Sequence, residues 1–511
     1  MQLQHIVIVG GGASGWLMAN YLGQRFVGSA VKVTIIESPD VPTIGVGEGT
    51  VPALKQAMRR FGIAEHELIQ QADATFKQGI CFRQWRKSPQ GSRIHQYYHP
   101  FDVLSTEQHA LLRQHLHSAT AADSSVLDAI SIQGMICDHY RAPKTATQPD
   151  YHGVVDYAYH FDAAKFGHVL KNNALRKYGV HCISATVQQV IRQPSGDIAQ
   201  LLTDQAGAVG GDLFIDCTGF HALLIGQQLE VPFVDQSHIL PVDHALAMQV
   251  PDQSETLASC TLATAQDAGW IWDIALSKRR GVGYVYSSAH QSHHDAEQRL
   301  RTYIGVAADG LTCRRIPMRV GYRQLSWQHN CVAIGLAQGF VEPLEATALL
   351  MTDLAALLFT ERLPMQMGHM ALVRDDFNRT MTHCWQRVLE FIKLHYLLSD
   401  RDDSDFWRDV RRNETVPDAL MQRLTLWQER CPNAFDFASR FEVFNLDNYL
   451  YVLYGMGFRS TDPMLGAHYT PTQWAQLLQR QQQLQQAQHL ALTQLPSHRD
   501  LITHFSRQTV A

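Results

Sequence analysis

The chain has 511 residues, 45% of them hydrophobic and 18% charged, with 43 Lys plus Arg against 48 Asp plus Glu and a mean hydropathy of −0.17. That length is too great for one small core, so two or three structural units are expected. A net charge of −5 offers no basic field to nucleic acid, and no run of about 18 apolar residues reads as a membrane span, which leaves a small molecule as the expected partner.

The first element is HIVIV at 5–9, read as a buried strand, after which Gly10, Gly12 and Gly15 fall at G-x-G-x-x-G spacing ahead of a helical pattern through Leu17, Met18 and Leu22. A turn of this kind lets backbone approach a pyrophosphate, which the N–H groups at the helix start then hold. A second strand, VKVTIIE, ends in Glu37, 22 positions after Gly15 and close to the roughly 20 expected for the acid that takes a ribose hydroxyl. Such an acid leaves little room for a 2′-phosphate. FAD, NAD or both satisfy the pattern at this point.

Next comes IGVGEGT at 44–50, a second glycine-rich segment, then the helical pattern VPALKQAMRRFG. HCISATVQQVIRQ and IAQLLTDQAGAVGGDLFIDCTGF read as a β-meander returning to a buried strand at 213–216, whose small-residue end suits a second close approach to a dinucleotide. A third such strand, CVAIGLAQG at 331–339, leads into a buried helix expected to start near Leu344. Beyond about 360 the pattern is largely helical, and the Gln-rich stretch WAQLLQRQQQLQQAQHLALTQL has Leu at helical spacing. No internal repeat or long linker separates these parts, so the units are expected to interleave. One glycine fingerprint without a second means one dinucleotide, which points to FAD.

Nine scattered cysteines form no C-x-x-C pair, and the 26 histidines include no H-E-x-x-H, so no metal site is expected. The N-terminus enters a strand within five residues, with no basic segment and cleavage site, which reads as cytoplasmic.

GGGASGW, IGVGEGT, FKQGICFRQW at 76–85, YYHPF at 97–101, YAYHFDA at 157–163, DCTGF, GWIWDIAL at 269–276 and FVEPLEATA at 340–348 follow one another as in the flavin-dependent halogenases. The chain resembles the tryptophan halogenase group of that family from residue 5 to about 460. The resemblance implies an α/β fold: an FAD-binding, Rossmann-like domain of the flavin monooxygenase type over 1–360, with substrate segments inserted at about 76–150 and 236–325, and a mainly helical substrate-covering region over 361–511. It implies a two-component enzyme, monomer or homodimer, in which FADH2 from a separate NAD(P)H-dependent flavin reductase, with O2, turns halide into hypohalous acid that halogenates an indole-type aromatic.

On that resemblance Gly10, Gly12, Ala13, Ser14, Gly15, Glu37, Gly47, Glu48, Thr218 and Gly335 hold the cofactor. Lys77 hydrogen-bonds the hypohalous acid or forms a haloamine, and Glu345 polarises the oxidant or takes the proton lost from the ring; the two meet in a tunnel leading from the flavin. His99 and Phe101 sandwich the aromatic substrate, and Trp270 and Trp272 belong to a W-x-W-x-I-P signature that keeps substrate from the flavin. Here Ala275 stands at the signature's proline. Backbone N–H groups of Thr347 and Ala348 bind halide, and Ala346 and Ala348 replace the usual serine and glycine of P-L-E-S-T-G, so a left-handed backbone at 348 would be strained. Tyr449 matches the first of two adjacent tyrosines that bind the amino acid part of free tryptophan, but Leu450 takes the second place, so indole or a larger indole compound is as good a candidate. A flavin-dependent aromatic hydroxylase and a non-catalytic flavin-binding protein are the alternative readings.

Overall fold

The computed structural model describes residues 2–41, 47–89, 94–117, 128, 130–252, 254–461 and 470–507; residues 44–46 of the second glycine-rich segment lie outside them. The chain divides into two compact units, one of Met1–Asp73, Phe161–Ser237 and Met318–Gln386, the other of Ala74–His160, His238–Pro317 and Arg387–Ala511. The inserted segments expected around 76–150 and 236–325 lie largely in the second unit, and residues 361–386 fall in the first.

The first unit is built on a six-stranded sheet. His5–Val9 lies between Lys32–Glu37 and Leu213–Asp216, parallel to both, with His181–Ser184 beyond Lys32–Glu37 and Cys331–Ala333 beyond Leu213–Asp216. Only the short Trp327–Gln328 runs antiparallel at the edge. Near-continuous apolar sequence suits the three central strands, because parallel strands are covered on both faces. The helix Ala13–Phe26 follows the first strand, and Ala163–Tyr178 packs beside it, with Asn20 Nδ2 donating to the Leu170 carbonyl at 2.8 Å. Asp162 caps that second helix by accepting from Ala164 and Lys165 N–H at 3.1 Å, and Gly179 closes it at φ 65°.

The expected meander is split in two. HCIS joins the parallel sheet, whereas Val187–Arg192, Ile198–Thr203 and Gly207–Gly210 form a separate antiparallel sheet. The physical reason lies in the hydrogen bonds: His181–Ser184 finds the free side of Lys32–Glu37, and Ala185 N–H closes onto the Glu37 carbonyl before the chain turns away.

The second unit carries a seven-stranded sheet in the order Arg314–Pro317, His244–Pro251, Arg279–Tyr286, Gly269–Ala275, Thr261–Gln266, Gly79–Arg83 and Gln96–Pro100. All its pairings are antiparallel except that of Thr261–Gln266 with Gly79–Arg83. Around it lie the helices Asp418–Glu429, Leu446–Gly455, Pro471–Gln494 and His498–Arg507. The Gln-rich segment is the third of these, opened by Thr470, which accepts from Gln473 N–H, and by Pro471. No helix among the described residues is long and apolar enough to cross a membrane.

Candidate active site

In the first unit the glycine turn is shaped by close contacts that a side chain would block. Gly10 has φ +112°, and a Cβ there would come 2.3 Å from the Cys217 carbonyl oxygen and 3.2 Å from Thr218 N. A Cβ on Gly15 would meet the Gly10 oxygen at 1.9 Å, whereas one on Gly12 would meet nothing within 4 Å. Gly12 is the N-cap of Ala13–Phe26, and neither a capping side chain nor an acid occupies that helix's first turn. The result is an open cradle of N–H donors at a helix start, the arrangement that accepts a phosphate anion.

The other expected cofactor residues gather on the same unit. Gly335 has φ +70°, and a Cβ there would lie 2.3 Å from Ser14 Oγ, so the turn after Cys331–Ala333 touches the start of the first helix. Glu37 reaches over the glycine turn, where a Cβ on Gly11 would strike its Cγ at 2.3 Å, and its carboxylate is paired with Lys171. Gly47 and Glu48 occupy the short strand Gly47–Gly49.

Thr218 owes its place to a residue that the sequence reading passed over. Buried Asp216 accepts from Thr218 N–H at 3.0 Å and Thr218 Oγ at 2.6 Å through one oxygen, and from Leu224 and Ile225 N–H at 2.8 Å through the other. Thr218 Oγ in turn accepts from Leu223 N–H at 2.7 Å. The hydroxyl and the N–H of Thr218 are thus both committed to the turn, so Thr218 serves the site by shaping that turn. An acid at the end of a buried strand, followed by C-T-G, was the available signal for Asp216.

In the second unit, Lys77 ends the strand Thr75–Lys77 and is 1% exposed. Four neighbours fix that strand: Thr75 Oγ donates to the Ala275 carbonyl at 2.6 Å, Phe76 N–H to His498 Nε2 at 3.0 Å, Gln78 N–H to the Ser259 carbonyl at 2.7 Å, and Gln78 Nε2 to the Arg141 carbonyl at 2.8 Å. Lys77 Nζ stands 5.4 Å from the centroid of the Phe101 ring, within range of a cation–π attraction.

Pairing of Thr75 with His160 and of Lys77 with Ala158 puts His160 on the same face as Lys77. Burial, and then the nearness of Lys77 and His498, holds His160 well below the ordinary imidazole range. The imidazole is therefore neutral and adds no second cation beside the ammonium.

His99 precedes Phe101 by two residues, so the two leave the strand end on one side. The His99 ring lies 5.7 Å from Phe391 and 6.2 Å from Tyr451, and its Nε2 accepts from Asn448 Nδ2 at 3.0 Å. Tyr449, a further expected substrate residue of this unit, lies on the helix Leu446–Gly455. It is 1% exposed in a cluster with Trp427, Phe437 and Phe391, beneath the Arg423 guanidinium, and burial raises its hydroxyl pKa. On the helix Leu446–Gly455, the residues turned to His99 are instead Asn448 and Tyr451, three apart and on one face.

Trp270 and Trp272 share one face of Gly269–Ala275, their rings 6.4 Å apart, with Trp85 6.2 Å from Trp270. Gly283, opposite Trp272, leaves the space that ring fills, since a Cβ there would come 2.1 Å from it. Ala275, at the end of that strand, supplies the carbonyl to which Thr75 is tied, so the tryptophan strand and the lysine strand are joined directly.

A family model described as tryptophan halogenase matches residues 5–471. The chain belongs to the tryptophan halogenase family. It is 34% identical over 475 residues to tryptophan 6-halogenase SttH of Streptomyces toxytricini, covering 88% of this chain and 89% of the relative. To tryptophan 7-halogenase RebH of Lentzea aerocolonigenes it is 32% identical over 482 residues, covering 89% and 90%. The crystal structure of a tryptophan halogenase from Shewanella frigidimarina superposes with a TM-score of 0.94 at 39% identity, over 99% of this chain and 98% of that one. As a member of this family the chain is a flavin-dependent halogenase that requires a separate flavin reductase and uses FADH2, with halide as co-substrate.

The open cradle at Gly10–Gly15 and the contacts of Gly335 and Asp216 fit that cofactor. The halogenase segment P-L-E-A-T-A departs from expectation in its backbone. Ala348 is helical, inside Thr347–Arg362, and the left-handed residues are Glu345 at φ 64° and Ala346 at φ 55°. The helix starts three residues later than Leu344, because these two residues break the helical path and leave only a 3-10 turn at Leu344–Ala346. Ala346 caps the helix without a side-chain hydrogen bond, and no acid sits in its first turn, where Thr347 and Ala348 lie. Glu345 is 2% exposed.

Proposed function

We propose that this halogenase transfers halogen from hypohalous acid to an indole-type ring at Lys77, with Glu345 as proton acceptor and His99 and Phe101 as the stacking pair. The observation that carries this reading is the buried Lys77 ammonium 5.4 Å from the Phe101 ring, with His99 two residues upstream. When bound, reduced FAD with O2 supplies the oxidising equivalents that convert halide to hypohalous acid.

Each remaining step belongs to side chains and backbone. The Thr347 and Ala348 N–H groups, in the first turn of a helix without a side-chain cap, hold the halide anion. Lys77 donates to the oxygen of hypohalous acid, which makes the halogen more electrophilic and the departing hydroxide easier to protonate. A desolvated ammonium does this more strongly than one in water, and the pinned strand keeps it in one place. His99 and Phe101 fix the ring so that a single carbon faces the halogen, and the Glu345 carboxylate takes the proton that carbon loses. Trp270 and Trp272, their rings 6.4 Å apart, are the residues we infer to keep substrate from the flavin. With Leu450 beside a buried Tyr449, the substrate we infer is indole or a larger indole compound rather than free tryptophan alone.

The test is mass spectrometry of an indole panel with purified protein, a flavin reductase, O2, and bromide, chloride or neither. A halogenated product is expected only with halide, and Lys77→Ala should abolish it while FAD binding persists. A product carrying added oxygen without halogen would make the enzyme a hydroxylase instead.

A further inference from the structure

The helix Leu446–Gly455 opens with a closed set of hydrogen bonds. Asn445, its N-cap, accepts from Asp447 N–H at 3.0 Å and Asn448 N–H at 3.3 Å through its side-chain oxygen, and Asn448 Oδ1 accepts in return from Asn445 N–H at 2.8 Å. This reciprocal box satisfies backbone donors that have no partner within the helix.

The same box settles which way the Asn448 amide points. Its oxygen must face the Asn445 N–H, because a reversed amide would set two donors against each other. The NH2 group is then left to donate to His99 Nε2 at 3.0 Å, so that nitrogen carries the lone pair and the ring proton sits on Nδ1. Phe391 at 5.7 Å and Tyr451 at 6.2 Å flank the ring as aromatic neighbours.

We propose that Asn448 is a positioning residue for halogenation: through the helix cap it fixes the plane and tautomer of His99, and thereby the carbon of the stacked ring that meets the oxidant. This rests on the reading of His99 as a stacking residue. The imidazole ring has a dipole whose direction reverses between tautomers, so an aromatic substrate stacked on it meets a different field, and a different preferred rotation, in each.

Asn448→Asp separates this role from capping. A carboxylate still accepts from Asn445 N–H, but it presents an acceptor to His99 and draws the ring proton to Nε2. Asn448→Ala removes both contacts. With full-length protein labelled on histidine nitrogen, and His99→Gln used to assign the signal, the wild type is expected to show an unprotonated Nε2 at position 99 and Asn448→Asp a protonated one.

With bromide and one fixed indole substrate, both variants are expected to spread the product over several ring positions and to raise KM about tenfold with a smaller change in kcat, the loss of one hydrogen bond's worth of orientation. A purely structural Asn448 would lower stability and leave the isomer ratio unchanged. An unaltered ratio in Asn448→Asp overturns the proposal, whether or not the tautomer inverts. The tautomer measurement needs no turnover. If the wild type yields no halogenated product, the halogenase reading of these residues falls first, and an indole affinity unchanged in Asn448→Asp then overturns the role of Asn448 as well.

Discussion

His498 Nε2 accepts the backbone N–H of Phe76 at 3.0 Å, one residue before Lys77, while its Nδ1 donates to the Leu257 carbonyl at 3.2 Å. The lysine strand is therefore held by a neutral imidazole from the helix His498–Arg507. Burial pushes the His498 pKa down to about 4. In the unfolded chain it titrates near its ordinary value of about 6.5.

The sign of the pH dependence follows. The unfolded state binds the proton more tightly, so the stabilisation is complete above about 6.5 and falls as pH drops toward 4, by on the order of 3 kcal/mol in all. His160 shifts in the same direction. Thermal melts from pH 7.5 to 4.5 should show the wild type losing more than His498→Gln, whose amide oxygen can still accept from Phe76. Parallel curves would refute the linkage.

Asp353 has the opposite sign. Burial raises its carboxyl to about 6, although the Tyr21 hydroxyl donates to it at 2.7 Å. The native state binds this proton more tightly, so stability falls as pH rises through roughly 4 to 6 and stays lower above. Asp353→Asn, which keeps an acceptor for Tyr21, is expected to stabilise the protein by on the order of 2 kcal/mol at pH 7.5. The gain in melting temperature should vanish near pH 4.

Gly335→Ala places a methyl 2.3 Å from Ser14 Oγ at a backbone φ of +70°. The left-handed conformation alone costs a non-glycine residue about 1–2 kcal/mol, and Ser14 must move from the helix start that receives the cofactor. Flavin fluorescence titration should show FAD binding weakened about tenfold or more. Undiminished binding would mean that the Gly335 turn does not shape the cofactor site.

The two alanines of P-L-E-A-T-A should respond oppositely to glycine. Ala346 is left-handed, so Ala346→Gly should relieve strain of about 1 kcal/mol. Ala348 lies in the helix, so Ala348→Gly should cost up to about 1 kcal/mol. Differential scanning calorimetry reads both, and the reverse order would place the kink at 348.

The glycine turn was readable in advance because its contacts are local: Gly10 and Gly15 are needed by the turn itself, and spacing records that need. The motif order was equally legible, and with it the family. The position of backbone strain was not, since P-L-E-A-T-A has the composition of a helix start, and only three-dimensional packing makes residues 345 and 346 left-handed. Asn448 and His498 carried no signal at all. Their partners, His99 and Phe76, lie 349 and 422 residues away, and no pattern along the chain couples such positions.

The path of the chain has a consequence for its biosynthesis. It passes from one unit to the other after residues 73, 160, 237, 317 and 386. The six-stranded sheet therefore lacks its outermost parallel strand until Cys331–Ala333 has left the ribosome, and Leu213–Asp216 has one unsatisfied side until then. A sheet that is completed only across so long a sequence separation forms slowly, and neither unit can be obtained by cutting the gene once.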